Sequence, residues 1–157
     1  MILNNFVIHD RALPDPAATA AAAGKLAELC QPGDVLCLFG DLGAGKTTFA
    51  RGFLRALGVV DEIPSPTFNL LLTYDTAAGT IWHFDLYRLN EPNEIIELGL
   101  EDAMADGISL IEWPDRLGDW LPERRIEIYL IETKVDTHRQ LRLRAVGAGF
   151  ERWRAPW

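Results

Sequence analysis

With 157 residues, 48% of them hydrophobic, the chain has enough apolar surface for one domain with its own core, spanning 1–157. Its formal charge of −8 is unevenly spread: residues 121–157 hold eight basic and five acidic side chains, which leaves −11 on residues 1–120. An acidic body repels a phosphate backbone, which argues against a stand-alone nucleic-acid binder, and no apolar run is long enough to span a membrane.

Met1 to Asp10 lacks the basic-then-apolar pattern of a signal peptide, so the expected location is the cytoplasm. Asn5 to His9 reads as a short strand, and Pro14-Asp15-Pro16 starts an alanine-rich helix reaching about Leu29. Gln31-Pro32-Gly33 turns into Asp34 to Phe39, a continuous apolar run of the kind found in buried parallel strands. Phe49, Ala50, Phe53, Leu54 and Leu57 then recur at helical spacing up to Gly58. The prolines of Ile63-Pro64-Ser65-Pro66-Thr67 exclude helix and predict an extended loop. Phe68 to Tyr74 and Thr80 to Leu86 read as an antiparallel hairpin around the small-residue turn Asp75 to Gly79.

Residues 91 to 105 have helical character broken at Gly99, and Ile108 to Glu112 is a further apolar strand ended by Trp113-Pro114. Arg125 to Ile131 and Gln140 to Val146 alternate as strands around the turn Lys134 to His138. Gly147 to Trp157 has no regular pattern and is expected at the surface or frayed. Cys30 and Cys37 make no metal-binding spacing and are expected as buried small hydrophobes in a reducing compartment. The whole reads as α/β: a mostly parallel central sheet with added antiparallel hairpins and helices on its faces.

Chemistry concentrates at Gly40-Asp41-Leu42-Gly43-Ala44-Gly45-Lys46-Thr47, which fits G-x-x-x-x-G-K-[ST], the phosphate loop of P-loop nucleotide hydrolases. The glycines let successive N–H groups turn onto phosphate oxygens. Asp41, Leu42, Gly43, Ala44, Gly45, Lys46, Thr47 and Thr48 are the expected cradle for ATP. Lys46 is expected on the β- and γ-phosphates and the Thr47 hydroxyl on Mg²⁺. The strand before the loop and the helix after it supply the context this motif needs.

Such a loop works with a further carboxylate at a strand end, and two candidates compete. Ile108 to Glu112 ends in Glu112; Ile81 to Asp85 ends in Asp85, with His83 on the same strand face. Either acid can hold Mg²⁺ through water or orient the attacking water, and either can instead cap a following turn. Thr67, in the extended loop, reads either as a sensor of a γ-phosphate or Mg²⁺ or as an ordinary turn hydroxyl. Arg88 can be a structural ion-pair partner or a phosphate contact, and the structural role is the expected one. Trp82, Trp113 and Trp120 read as core, with Trp113 also a candidate to line the site because it follows Glu112.

Two features imitate guanine-nucleotide recognition, Thr133-Lys134-Val135-Asp136 and Asp115-Arg116-Leu117-Gly118. Only residues 119–132 separate them, too few for the strands and helices that arrangement needs, and 133–136 reads as a hairpin turn.

The motifs Gly40 to Phe49 (GDLGAGKTTF), Ser65 to Phe68 (SPTF), His83 to Arg88 (HFDLYR), Glu97 to Gly99 (ELG) and Ile111 to Pro114 (IEWP) follow one another at compatible spacing. Together they resemble the TsaE family, the ATPase subunit of bacterial tRNA threonylcarbamoyladenosine synthesis, over roughly residues 7 to 146. By this resemblance Thr67 matches a switch-like threonine, Asp85 a strand-end catalytic acid, Glu112 the acid associated with Mg²⁺, and Arg139 a position that reaches the nucleotide. Where the family often has an acidic residue shortly before a threonine of the first helix, this chain has Pro16-Ala17-Ala18 before Thr19. The Arg152 to Trp157 tail has no counterpart.

The resemblance implies a Mg²⁺-dependent ATPase, slow alone, that acts on two partners: the threonylcarbamoyl-transferring subunit and its non-catalytic paralogue. Hydrolysis would reset that complex during modification of adenosine 37 in tRNAs, with tRNA contacted only indirectly. The rival reading is a small-molecule or nucleoside kinase, which shares the loop but needs an arginine-rich lid; no lid-like insertion is present.

Overall fold

The structure, a computed structural model, describes residues 5–154. In chain order these form β1 (Asn5–Leu13), α1 (Pro16–Ala27), β2 (Val35–Phe39), α2 (Lys46–Ala56), β3 (Leu71–Thr76) and β4 (Gly79–Asp85). Next come α3 (Glu94–Leu98), α4 (Leu100–Asp106), β5 (Ile108–Glu112), β6 (Arg125–Glu132) and β7 (Arg139–Val146), with 3-10 turns at Pro114–Trp120 and Glu151–Arg154. All strands join one sheet in the order β1-β7-β6-β2-β5-β4-β3. The central four, β6, β2, β5 and β4, are mutually parallel; β7 and β1 extend one side antiparallel, and β3 the other. This is the expected α/β arrangement. Among the described residues no helix is long and apolar enough to cross a membrane.

The innermost strands follow from composition. Val35 to Leu38 and all of Ile108–Glu112 are buried, as parallel strands covered on both faces must be. One face packs on α1 and α2 through Leu36, Leu38, Leu110, Ile126 and Ile128 against Leu26, Phe49 and Phe53. The other packs Val35, Cys37, Phe84 and Ile111 against Ile95, Leu100 and Leu117. Asp15 caps α1 by accepting the Ala18 N–H at 2.8 Å, and Pro16 occupies its first position, where the missing N–H costs nothing. Alanines keep α1 thin. A Cβ on Gly52 of α2 would stand 2.6 Å from the Ala20 backbone, so the two helices touch main chain to main chain. That contact seats α2, which carries the phosphate loop.

The observed elements depart from expectation in five places. β1 runs on to Leu13, because Asp10 to Leu13 find partners in β7 that a short-range pattern does not reveal. Phe68 is not in β3: residues 67–70 turn instead, with the Leu70 N–H bonded to the Pro66 carbonyl at 2.7 Å, which leaves Phe68 80% exposed. The β3–β4 turn is tighter than Asp75 to Gly79, pairing Thr76 directly with Gly79. Trp120 is partly exposed, its Nε1 donating to Asn93 Oδ1 at 2.8 Å, rather than core.

The fifth departure is the C-terminal segment, which is neither superficial nor frayed through Arg154. Phe150 and Trp153 are buried in the main core, and Arg152 ties the turn to the buried Asp34 and, at 2.7 Å, to the Leu29 carbonyl. Residues 155–157 of that segment lie outside the described residues.

Candidate functional site

Because β2, β4 and β5 are parallel, their carboxyl ends reach the same edge of the sheet. The loop 40–45 leaves β2 there and enters α2 at Lys46. Gly45 makes the entry with φ +107, a conformation strained for any residue with a side chain. The first turn of α2 holds no acidic residue, so its unpaired N–H groups face an anion without competition.

Lys46 folds back over the loop. Its Nζ donates to the Gly40 carbonyl and, at 3.1 Å, to the Asp41 carbonyl. It also lies 3.9 Å from the centre of the Trp113 ring, a cation–π contact. Burial holds the Lys46 ammonium below the ordinary lysine value, against the opposing pull of Glu112, Asp85, Asp41 and Asp115. Trp113 has a left-handed backbone, φ +59, immediately before Pro114. Strain of that kind persists where the surroundings hold it, and here it turns the ring onto Lys46.

Asp85 and Glu112 are register partners, and Glu112 also pairs with Leu38 of the α2-facing core, so both acids lie on the face that α2 covers. Both are buried. Asp85 caps the turn, its Oδ1 accepting the Tyr87 N–H at 3.1 Å, while Oδ2 faces the cleft and accepts the Thr67 hydroxyl at 3.0 Å. Ser65 Oγ lies 2.7 Å from the same Thr67 hydroxyl. Glu112 Oε2 accepts from His83 Nε2 at 2.7 Å.

These groups share one open cleft of about 230 Å³, lined by Leu42, Gly43, Gly45, Lys46, Thr47, Thr48, Thr67, Asp85, Glu112 and Trp113. A second cleft of about 160 Å³ adjoins it across Gly45 and Thr48, with Pro16, Thr19, Ala44, Asp136, Thr137 and Arg139 completing its walls. Arg139 grips the loop from outside, donating from Nε to the Ala44 carbonyl and from Nη2 to the Gly43 carbonyl, both at 3.0 Å. A trans peptide sets its N–H opposite its C=O, so capture of the Ala44 carbonyl aims the Gly45 N–H away from Arg139. Thus Ala44 and Arg139 border the second cleft rather than the first, and Asp41 lines neither, bordering instead a separate cleft with Gly40 and Tyr129.

Asp136 and Thr137 are site-lining residues absent from the sequence expectations, while Pro16 and Thr19 stand where the family resemblance points to the first-helix threonine. The only sign of Asp136 was the 133–136 tetrapeptide, and that segment is indeed a turn, with Thr133 Oγ1 accepting the Val135 N–H. Among the described residues Arg88 makes no ion pair; its guanidinium lies 4.5 Å from the centre of the exposed Phe68 ring. Of the arginines from 125 to 154, those at 125, 139, 142 and 144 sit on β6 and β7 and those at 152 and 154 in the last turn, where Arg125, Arg142 and Arg152 pair with Glu127, Asp10 and Asp34, so they belong to the body of the domain.

A hydroxyl on Thr47 and buried carboxylates on Glu112 and Asp85 line one cleft beside a phosphate loop. Mg²⁺ binds through one or two carboxylates together with phosphate oxygens and keeps several waters, so these residues fit it.

The profile of the family described as "Threonylcarbamoyl adenosine biosynthesis protein TsaE" matches residues 13–141. The chain belongs to the TsaE family. Among TsaE proteins, the one from Bacillus subtilis is 38% identical over 87% of this chain and 85% of its own length. The TsaE protein of Rickettsia felis is 47% identical over 71% of this chain and 66% of its own, and that of Haemophilus influenzae is 39% identical over 73% and 76%. All three carry the name tRNA threonylcarbamoyladenosine biosynthesis protein TsaE. A crystal structure of Bacillus subtilis YdiB superposes with a TM-score of 0.77 at 32% identity, covering 94% of this chain and 89% of that one.

Proposed function

We propose that this chain is a Mg²⁺-dependent ATPase serving tRNA threonylcarbamoyladenosine synthesis as an accessory subunit, leaving the transfer chemistry to a partner. Family membership supports the pathway. The observation that carries the ATPase reading is the single cleft in which a phosphate loop meets Thr67, Asp85 and Glu112. ATP would lie with its phosphates along 41–48 and its base in the adjoining cleft beside Asp136 and Arg139.

Lys46 would exchange its loop carbonyls for the β- and γ-phosphates, concentrating positive charge where the leaving oxygen gains negative charge. Thr47 and Glu112 would hold Mg²⁺, which supplies charge neutralisation between the β- and γ-phosphates. Asp85, fixed through Oδ1, is the acid left to orient the attacking water through Oδ2 once the Thr67 hydroxyl turns to the triphosphate. The 64–70 loop would then report the nucleotide state through Phe68, which is exposed and free to meet a partner. The expected partners are the transferase subunit and its non-catalytic paralogue, in the cytoplasm, with tRNA bound by them.

The test is ATP turnover by the purified chain alone and with both partners, for wild type, Lys46→Ala and Thr67→Val. Slow turnover alone, acceleration by the partners, and loss of both in Lys46→Ala are expected. Thr67→Val should bind ATP yet lose the partner response. Nucleotide binding without turnover in every mixture would make the chain a nucleotide-sensing adaptor instead.

A further inference from the structure

His83 lies one strand pair behind the cleft and contributes nothing to its walls. It pairs in register with Leu110, which places its ring diagonal to Glu112 on the same sheet face. Both side chains are buried, at 1% and 3% exposure, and Nε2 lies 2.7 Å from Glu112 Oε2. With the carboxylate ionised, Nε2 carries the hydrogen and donates it. Nδ1 is buried with no hydrogen-bond partner. A histidine kept only for packing would gain from satisfying both nitrogens, or from replacement by an apolar residue. Among the described residues this ring instead leaves one nitrogen unpaired, and its sole polar contact is Glu112.

We propose that His83 is a positioning residue: it fixes the Glu112 carboxylate by holding Oε2, so that Oε1 is the oxygen presented to the cleft. Among the described residues Oε1 has no hydrogen-bond partner, and Glu112 lines the cleft beside Lys46 and Thr47. A carboxylate that holds a metal gains orientation and basicity from such a donor, and removing donors of this kind typically lowers metal affinity about 10–100-fold. The proposal rests on the reading of Glu112 as the Mg²⁺-associated acid.

The experiment measures the affinity of a fluorescent, non-hydrolysable ATP analogue for the full chain across a Mg²⁺ series and in excess chelator, with melting temperatures recorded alongside. Three variants are compared with wild type. His83→Gln keeps an amide N–H near the Nε2 position, His83→Asn keeps the polarity but falls short of Oε2, and Glu112→Gln removes the carboxylate.

In His83→Asn, the Mg²⁺ concentration giving half of the metal-dependent gain should rise about tenfold or more. Affinity in chelator should be unchanged, and His83→Gln should stay within about threefold of wild type. Equal Mg²⁺ responses in His83→Asn and wild type, or equal losses with and without Mg²⁺, overturn the positioning role. Should Glu112→Gln itself respond to Mg²⁺ as wild type does, the reading of Glu112 fails and the proposal fails with it. If His83→Asn does not fold, His83→Gln decides: a tenfold loss of Mg²⁺ response in a folded His83→Gln protein contradicts the donor role.

Discussion

Arg139 reaches from β7 to a loop 95 residues away and makes two of its contacts there, to the Gly43 and Ala44 carbonyls. Its other guanidinium nitrogen, Nη1, is held by the carbonyls of Asp136 and His138 at 2.6 and 2.8 Å, so the fork is already ordered before it meets the loop. Hydrogen bonds from a charged donor contribute about 1.5–3 kcal/mol when well shielded. The guanidinium is only partly buried, and about 1 kcal/mol for each cross-loop bond is the appropriate scale here. Arg139→Ala should therefore cost about 2 kcal/mol of preorganisation, roughly thirtyfold in nucleotide affinity. Arg139→Lys, a point charge able to reach one carbonyl, should lose about 1 kcal/mol, roughly fivefold. Anisotropy titration of a fluorescent ATP analogue with Mg²⁺ measures both. Wild-type affinity in Arg139→Ala would refute the argument. A parallel collapse in melting temperature would trace the loss to the hairpin instead of the loop.

The C-terminal turn gives a stability prediction: Trp153→Ala removes a fully buried indole from the main core and should cost about 3–5 kcal/mol, lowering the melting temperature by roughly 10 °C. An unchanged thermal melt would put that turn outside the cooperative core. The two thiols give a pH prediction, since burial pushes Cys37 up to about 12 and Cys30 well above the ordinary 9.0. Cys37 is buried as expected whereas Cys30 is only half-buried, so the native protein at pH 8 should resist a thiol reagent at Cys37, with Cys30 the faster of the two, and label at both after denaturation. The folded state keeps protons that the unfolded chain releases above pH 9, so each thiol should lower stability by about 1.4 kcal/mol per pH unit there. Tyr74 and Tyr129, also raised chiefly by burial, act in the same direction, while Lys46, lowered by burial, opposes them. Fast native labelling of Cys37, or stability that holds flat from pH 9 to 10.5 in denaturant titrations, would contradict this.

What a sequence discloses about this site depends on how locally each part is built. The phosphate loop is legible because its glycines, Lys46 and Thr47 are contiguous and bracketed by a strand and a helix. Glu112 and Asp85 are legible because a carboxylate ending an apolar strand is anomalous unless something uses it. Their meeting is not, since it depends on the parallel register of β4 and β5. The same register joins His83 to Glu112. The second cleft is the least legible part, because Pro16 and Thr19 reach it from α1 while Asp136 and Thr137 reach it from the β6–β7 turn. Phe68 misleads for a different reason: an aromatic beside leucines promises a strand, and only the turn at 67–70 throws it outward. Trp153 misleads in reverse, since a short arginine-rich segment hides one apolar side chain that the core requires.

The sheet order carries a consequence for how the molecule is made. Among the described residues β1, the first strand in chain order, has one neighbour, β7, which is the last. β2 likewise waits for β5 and β6 before both its edges are covered. At roughly 5–20 residues per second, a nascent chain must carry β1 unpaired for many seconds while the rest emerges. The Arg139 grip on the loop closes at the same late moment, because it belongs to that final strand. A chain whose synthesis stops short of β7 thus exposes two open strand edges and a loop without its clamp. Unpaired edges of this kind template pairing with other chains, so such fragments should be aggregation-prone.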